Sequence, residues 1–280
     1  MKKSTFYLLS VITFITVFFS CNNNAPATEN KDAMTTTPKI KEEAVSYTGD
    51  NVTMNGFVAY DESKTGPRNV VMIIPEWWGL NDYVKGRARQ LAELGYFAMA
   101  VDMYGNGKVA DNPDSAGKWA MPFYSNPAMM KTRFDAALAK AMSYSQADSS
   151  SVAAIGYCFG GAQVLNLARL GENLKGVVSF HGNLVGVPAS KQLLRAKILA
   201  CHGAIDQFVK MEEVDKFKKQ MDSIGADYSL KIYPNATHSF TNPNATAMGE
   251  KFKMPIAYNA AADTASWKDM REFFDSIFKH

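Results

Sequence analysis

A single cysteine between glycines is the residue of this sequence best placed for covalent chemistry. Gly156-Tyr157-Cys158-Phe159-Gly160 follows the apolar run Val152–Ile155, which is typical of a buried parallel strand. Apolar residues then recur with helical period until Gly171. In a nucleophile elbow, the nucleophile lies at a strand-to-helix turn, with a small residue two positions before it and another two positions after it. The sequence has this pattern, with Cys where Ser is more usual. A buried structural cysteine is the alternative interpretation.

The predicted turn explains how such a cysteine could react. At the N-terminus of a helix the dipole favours a thiolate, which is the nucleophilic form of cysteine. The backbone N–H of Phe159 would point towards an oxyanion that develops on a bound carbonyl group. We therefore expect Cys158 to attack a carbonyl carbon.

A base and an acid follow in the order that this chemistry requires. In a doubly wound sheet, residues just beyond the carboxyl ends of the strands converge on one site. His238 lies in a loop after the last predicted strand, and Asp206 follows an earlier strand. The order Cys158, Asp206, His238 is that of the α/β-hydrolases. His181 and His202 also lie at predicted strand ends, and for both a structural and a catalytic role remain open.

The elements that must position these residues alternate between strands and helices. With 280 residues, 47% of them apolar, the chain is long enough for one large core. The alternation predicts a mostly parallel sheet covered by helices on both faces. Together with the order of Cys158, Asp206 and His238, it leads us to expect an α/β-hydrolase fold over residues 40–280. The stretch 102–126 is rich in Gly, Pro, Asp and Asn, and predicts a surface loop or lid near the site.

The N-terminus has the features of an export signal. Lys2-Lys3 precedes an apolar stretch, residues 6–19, that is too short to span a bilayer comfortably. Ser20-Cys21 and a polar stretch follow, as in a bacterial lipobox. We expect residues 1–20 to be a signal peptide, and residues 21–39 to comprise a lipidated Cys21 and a flexible tether. The protein would then be an envelope lipoprotein anchored in the membrane and facing the periplasm or exterior; plain secretion is the alternative.

Other ligand classes find little support in the sequence. The net charge is only +3 and no basic patch is interleaved with aromatic residues, so we expect no nucleic-acid partner. No metal-ligand spacing is present, and we expect neither a metal nor a cofactor. Cys158 and Cys201 should be separated by one intervening strand, roughly 9.6 Å against a limit of roughly 7 Å for a disulfide, which predicts two free thiols.

Four motifs in sequence order resemble those of the dienelactone hydrolase family. They are Pro-Glu-Trp-Trp-Gly-Leu-Asn around Glu76, Gly-Tyr-Cys-Phe-Gly-Gly around Cys158, His-Gly-Ala-Ile-Asp-Gln-Phe-Val ending beyond Asp206, and His-Ser-Phe at His238. The Asp-Met-Tyr-Gly element that begins at Asp102 is similar too. The resemblance runs from about residue 52 to residue 278.

The resemblance implies a role for each of these residues. Cys158 would be the nucleophile, His238 the base, and Asp206 the acid that orients the base. Glu76 would contact the thiol and help to generate the thiolate as the substrate binds. The N–H of Trp77, after the third strand, would be the second oxyanion donor beside that of Phe159.

The sequence departs from the family pattern at the positions that recognise the substrate. The resemblance implies two arginines that hold a substrate carboxylate, and here these positions are Asn106 and Asn242. An uncharged amide cannot supply their charge. We therefore expect a small-molecule ester or lactone that is less acidic than a dienelactone. Aromatic residues could supply its pocket: Trp77, Trp78, Trp119, Phe123 and Tyr124.

Two classes of function are consistent with these features. The first is a cysteine-dependent hydrolase that cleaves a carboxylic ester or lactone through Cys158, His238 and Asp206. The alternative is a non-catalytic ligand-binding envelope lipoprotein on the same scaffold, for which a broken triad would be expected. A redox thiol protein is disfavoured because no Cys-x-x-Cys pair is present.

Overall fold

The fold is taken from a computed structural model that describes residue 1 and residues 37–278. The predicted signal peptide, the lipidated Cys21 and most of the predicted tether lie outside the described residues and stay predictions. Within the described part of the chain, no helix is both long and apolar enough to cross a bilayer.

Eight strands and seven helices alternate along the described chain. The strands are β1 (Ile40–Gly49), β2 (Val52–Asp61), β3 (Arg68–Ile74), β4 (Phe97–Ala100), β5 (Ala147–Tyr157), β6 (Gly176–Phe180), β7 (Lys197–Gly203) and β8 (Tyr228–Tyr233). The helices are α1 (Asp82–Glu93), α2 (Pro113–Ser125), α3 (Pro127–Met142), α4 (Phe159–Arg169), α5 (Met211–Ile224), α6 (Ala245–Phe252) and α7 (Ala260–Ile277).

The strands form one sheet in the order β1-β2-β4-β3-β5-β6-β7-β8. The β1–β2 and β2–β4 pairs are antiparallel, and all pairs from β4 to β8 are parallel. The predicted mostly parallel α/β-hydrolase fold is therefore confirmed. Because parallel strands end at the same edge, the loops after β3, β5, β6, β7 and β8 are brought together.

Side chains of the central strands alternate between two cores, one on each face of the sheet. Val70, Met72 and Ile74 belong to the core that also contains apolar residues of α3, α4 and α5. Val71 and Ile73 belong to the core that contains residues of α1 and α7. This two-sided burial explains why the central strands are continuous apolar runs.

The stretch 102–126 is not only a loop, because it contains α2. The side chain of Asn112 accepts a hydrogen bond from the Ser115 N–H at 2.9 Å, and Pro113 occupies the first turn. Ala116, Ala120 and Phe123 are spaced by four and three residues and are buried. The expectation of a loop was wrong because one apolar helical face outweighs the unfavourable helix propensities of Gly117 and Pro122. The short helix α6 was not predicted either.

The separation of Cys158 and Cys201 follows from the strand order. β6 lies between β5 and β7, as expected. Both cysteines are free thiols, which confirms that prediction. Cys201 is buried, and burial raises the pKa of its thiol to about 12, so it is not a candidate nucleophile.

Candidate active site

Cys158 lies at the sharp turn between β5 and α4. Its φ is 52° and its ψ is −113°, a backbone conformation that non-glycine residues rarely adopt. The two flanking glycines are needed for close approach. A Cβ atom at Gly156 would lie 2.1 Å from the carbonyl oxygen of Gly160, and one at Gly160 would lie 2.1 Å from the carbonyl oxygen of Ile74. The structure therefore has the geometry of a nucleophile elbow.

The three residues that the sequence places at separate strand ends form one hydrogen-bonded series. His238 Nε2 lies 3.0 Å from Cys158 Sγ, and His238 Nδ1 lies 2.8 Å from Asp206 Oδ2. Asp206 Oδ1 accepts hydrogen bonds from the N–H groups of Phe208 and Val209 at 2.8 and 2.9 Å. We call Cys158, His238 and Asp206 the thiol site.

The charge of the thiol site is stabilised within the protein. Burial disfavours the imidazolium, but the negative charge of the Cys158 thiolate and the hydrogen bond to Asp206 raise the pKa of His238 well above its usual value. Burial also disfavours the Asp206 carboxylate, yet the hydrogen bond from His238 and those from two backbone N–H groups lower the pKa of Asp206. The arrangement thus favours a positively charged His238 ring between the Cys158 sulfur and the Asp206 carboxylate.

The backbone N–H groups of Phe159 and Trp77 have no hydrogen-bond acceptor among the described residues. Phe159 is the first residue of α4, where no acceptor exists within the helix. Trp77 donates no backbone hydrogen bond, and its carbonyl oxygen accepts one from Tyr104 Oη at 2.8 Å. Both residues line the cavity that contains Cys158. Their N–H groups are those that the sequence predicts as oxyanion donors.

Glu76 follows β3, as predicted, and is only 1% exposed. Its Oε2 accepts a hydrogen bond from Asn242 Nδ2 at 2.6 Å, so its observed partner is this amide and not the thiol. Oε1 is buried without a hydrogen-bond partner among the described residues. Burial raises the pKa of Glu76 despite the opposing hydrogen bond from Asn242. The implied contact of Glu76 with the thiol during substrate binding stays a prediction.

The two histidines left open by the sequence differ in their contacts. His181 is fully buried after β6, and its Nδ1 accepts a hydrogen bond from the Cys158 N–H at 3.1 Å. His202 lies within β7, and its Nδ1 is buried without a partner among the described residues. His181 therefore contacts the elbow directly, whereas His202 makes no hydrogen bond to the thiol site.

A cavity of about 450 Å³ opens beside the thiol. Outside the elbow, eight apolar or aromatic side chains and the carboxylate of Glu213 line this cavity, and we call them together the cavity wall. They are Trp77, Ala120, Met121, Tyr124, Val185, Phe208, Glu213, Met254 and Ile256. Of the aromatic residues considered from the sequence, Trp78 and Phe123 are buried in cores instead. Sequence reasoning missed most of the wall, because its residues come from separate helices and loops without a common motif.

The positions that depart from the family pattern also differ in their surroundings. Asn106 is exposed and has a φ of 57°. Asn242 is 2% exposed and bonded to Glu76. Neither is among the residues that line the cavity, and no arginine or lysine of the described chain lines it either. The cavity therefore lacks an arginine or lysine that could pair with a substrate carboxylate.

Comparisons with known proteins agree with this arrangement. The model of the dienelactone hydrolase family matches residues 54–278. A crystal structure of a dienelactone hydrolase-like promiscuous phosphotriesterase from metagenomic libraries is 36% identical, with a TM-score of 0.80, and the match covers 86% of this chain and 99% of that one. Protein usf of Aquifex pyrophilus is 28% identical over 77% of this chain and 94% of its own length.

A Methylorubrum extorquens protein named "Putative carboxymethylenebutenolidase" is 24% identical, over 75% of this chain and 72% of its own. The family match covers most of the described domain and includes the elbow, the acid and the base. The chain belongs to the dienelactone hydrolase family and is a hydrolase of the ester or lactone type.

Proposed function

We propose that this protein hydrolyses uncharged carboxylic esters or lactones with Cys158 as the nucleophile, His238 as the base and Asp206 as the residue that orients the base. The observation that supports the proposal best is the series Sγ to Nε2 at 3.0 Å and Nδ1 to Oδ2 at 2.8 Å, at the edge of an apolar cavity. The distances match those expected between a nucleophile, its base and the orienting acid.

The reaction would proceed through a thioester. The Cys158 thiolate attacks the carbonyl carbon, forming the S–C bond, and the carbonyl electrons move to oxygen. The N–H groups of Phe159 and Trp77 bind this oxyanion. When the intermediate collapses, the C–O bond to the leaving group breaks, and His238 donates its Nε2 proton to the departing alkoxide.

Water then completes the cycle. His238, now neutral, accepts a proton from a water molecule that attacks the thioester carbonyl. The S–C bond breaks, the carboxylic acid leaves, and the thiolate beside the imidazolium is restored. Asp206 keeps Nδ1 protonated throughout, so that Nε2 faces the reacting atoms.

The chemistry of the cavity supports an uncharged substrate. Its wall is mainly aromatic and aliphatic, and its one carboxylate would repel an anion. The asparagines at positions 106 and 242 cannot replace the paired arginines that the family pattern implies. A dienelactone, which carries a carboxylate, therefore fits this cavity poorly.

Replacement of the nucleophile tests the proposal. We expect Cys158→Ala to abolish turnover of p-nitrophenyl esters and of neutral lactones by residues 39–280. The panel includes a neutral phosphotriester, because the solved relative at 36% identity is described as a promiscuous phosphotriesterase. Cys201→Ala is the matched control, since that thiol is buried away from the cavity. Full esterase activity in Cys158→Ala would refute the cysteine mechanism.

Membrane anchoring through Cys21 is a separate proposal that rests on the sequence alone. We propose that the mature protein is a lipoprotein of a bacterial envelope. Expression of the full chain in a bacterium, with radiolabelled palmitate, should label the wild type and leave Cys21→Ala unlabelled. Equal labelling of the two proteins, or none in either, would contradict the proposal.

A further inference from the structure

A buried polar connection joins the elbow to the loop that carries His238. It begins at His181, which is fully buried and has a φ of 42°. His181 Nδ1 accepts a hydrogen bond from the Cys158 N–H, an N–H that also lies 2.9 Å from the Phe180 carbonyl oxygen. An Nδ1 that accepts from an N–H carries no proton, so in the neutral ring the proton is on Nε2.

The connection continues to Thr241, three residues after His238. His181 Nε2 lies 2.7 Å from Thr241 Oγ1, and with the proton on Nε2 the ring donates to this hydroxyl. Thr241 is 1% exposed. Its Oγ1 also lies 2.7 Å from Tyr83 Oη, and its carbonyl oxygen accepts a hydrogen bond from Arg87 Nη2 at 2.8 Å. The loop is thus fixed to α1 on one side and to the elbow on the other.

We propose that His181 and Thr241 are positioning residues that set the distance between the thiol and its base. Cys158 and His238 lie on different loops, 80 residues apart. The elbow conformation is strained and persists only where its surroundings hold it. The His181 ring contacts the elbow backbone with one nitrogen and the base loop with the other, so it couples both sides of the Sγ to Nε2 contact.

The neutral state of His181 is what makes this coupling possible. A protonated ring would donate from both nitrogens and could not accept the Cys158 N–H. Burial, and then the positive charge of His238 whose ring centroid is 5.2 Å away, lower the pKa of His181 well below its usual value. The ring therefore stays neutral while its neighbour is charged.

Substitution of Thr241 tests the proposal. Thr241→Val keeps the side-chain shape and removes the acceptor, and we expect kcat to fall by roughly 10- to 100-fold with little change in KM, as for a misplaced reacting group. Thr241→Ser, which restores the hydroxyl, should recover most of kcat. Tyr83→Phe is the matched control: it removes the other hydrogen bond of the same hydroxyl but not that of His181, and should lower kcat less than Thr241→Val.

The reactivity of the Cys158 thiol distinguishes a displaced catalytic base from a loss of folding stability. We expect Thr241→Val to shift the pH dependence of Cys158 alkylation by iodoacetamide, because a displaced His238 stabilises the thiolate less. His181→Asn offers a second route, since Asn tolerates a positive φ and keeps an acceptor for the Cys158 N–H while losing contact with Thr241. Its effect on kcat and that of Thr241→Val should be non-additive in the double variant.

This inference rests on the proposed function, and the two can fail separately. If Cys158→Ala stays active, the cysteine mechanism fails. If Cys158 is required but Thr241→Val has wild-type kcat and a wild-type alkylation profile, only the positioning role fails. Effects of His181→Asn and Thr241→Val that add fully would also overturn it. If Thr241→Val does not fold, a wild-type kcat together with a wild-type alkylation profile in His181→Asn would overturn it instead.

Discussion

The thiol site and the cavity wall face the same space but are built in opposite ways. In the thiol site every reacting atom is held by a short hydrogen bond, and the three side chains follow three different strands of one sheet edge. Apart from Glu213, the wall is held by packing, and its side chains come from α2, α5 and several loops. The first region specifies a reaction through few atoms, whereas the second specifies a substrate through shape and a single charge.

The largest effect is expected where the thiol site is broken. His238→Gln removes the base and the positive charge beside the thiolate, and kcat should fall by roughly 10³-fold or more for every ester. Steady-state kinetics on a short and a long acyl ester would measure it, with circular dichroism to confirm folding. An equal loss for both esters is the signature of damage to the reaction itself. A loss confined to one ester would mean that His238 belongs functionally to the wall.

Substitutions in the cavity wall should change kcat/KM by different factors for different esters. Phe208 is 49% exposed, lines the cavity, and its ring centroid lies 5.2 Å from that of His238. Phe208→Ala should lower kcat/KM for a large aromatic or long acyl ester by roughly tenfold, and less for an acetate, because a lost apolar contact costs about 1–3 kcal/mol.

Ile232→Ala is the matched control for this comparison. Ile232 is 42% exposed and does not line the cavity, so its replacement should alter neither ester. If Phe208→Ala lowers kcat/KM for the acetate as strongly as for the large ester, Phe208 acts through the neighbouring His238 ring instead of through substrate contact.

The difference between the thiol site and the cavity wall also explains which features could be predicted from the sequence. The structure brings Cys158, Asp206 and His238 together because parallel strands end at one edge, so residues far apart in sequence converge by a topological rule. The mostly parallel sheet followed from apolar runs that alternate with helical periodicity. These features depend on local patterns that a single sequence displays.

The remaining features depend on tertiary contacts. Helix α2 was missed because Gly117 and Pro122 weaken its pattern, while burial of Phe123 and its neighbours stabilises it. Thr241 carries no motif, and its importance in the structure comes from contacts with His181 and Tyr83, 60 and 158 residues away. The partner of Glu76 could not be derived from either residue, because only the folded chain places Asn242 beside it.

The pH dependence of stability should distinguish the charged thiol site from the apolar side chains of the wall. The pKa of His238 is raised, so its stabilising contribution is complete below the unfolded value of about 6.5 and is lost as pH rises through its folded pKa. The pKa of Asp206 is lowered, so its contribution is present above its unfolded value and is lost as pH falls through its folded pKa. The site is thus stabilising between these limits.

Urea unfolding of the wild type, His238→Gln and Phe208→Ala from pH 6 to pH 9 would measure this contribution. The difference in unfolding free energy between the wild type and His238→Gln should shrink as pH rises, by at most about 1.4 kcal/mol per pH unit. The difference for Phe208→Ala should stay constant, since no proton is involved. A constant difference for His238→Gln would show that the thiol site takes up no net proton when the protein folds in this pH range.

The smallest expected effect concerns the carboxylate of the wall. Glu213 lies in the first turn of α5, and its Oε1 accepts hydrogen bonds from the N–H groups of Leu184 and Val185 at 2.6 and 3.0 Å. Arg169 lies behind this loop, where it donates to the Leu184 carbonyl oxygen and is only 1% exposed. Glu213 lines the cavity and Arg169 does not, so a bound substrate meets the negative charge.

Glu213→Gln keeps an oxygen for both backbone N–H groups and removes only the charge. Wild-type kcat/KM should be lower for an ester with a free carboxylate than for its neutral methyl-ester analogue. Glu213→Gln should reduce the ratio of the two kcat/KM values roughly fivefold, which corresponds to about 1 kcal/mol. The reduction should be smaller at high salt. Glu212→Gln is the matched control, because it makes the same change in net charge one residue away without lining the cavity. If Glu213→Gln and Glu212→Gln give the same ratio of kcat/KM values for the two esters, the charge of Glu213 does not select the substrate. Anionic substrates would then be disfavoured only because no arginine or lysine of the described chain lines the cavity.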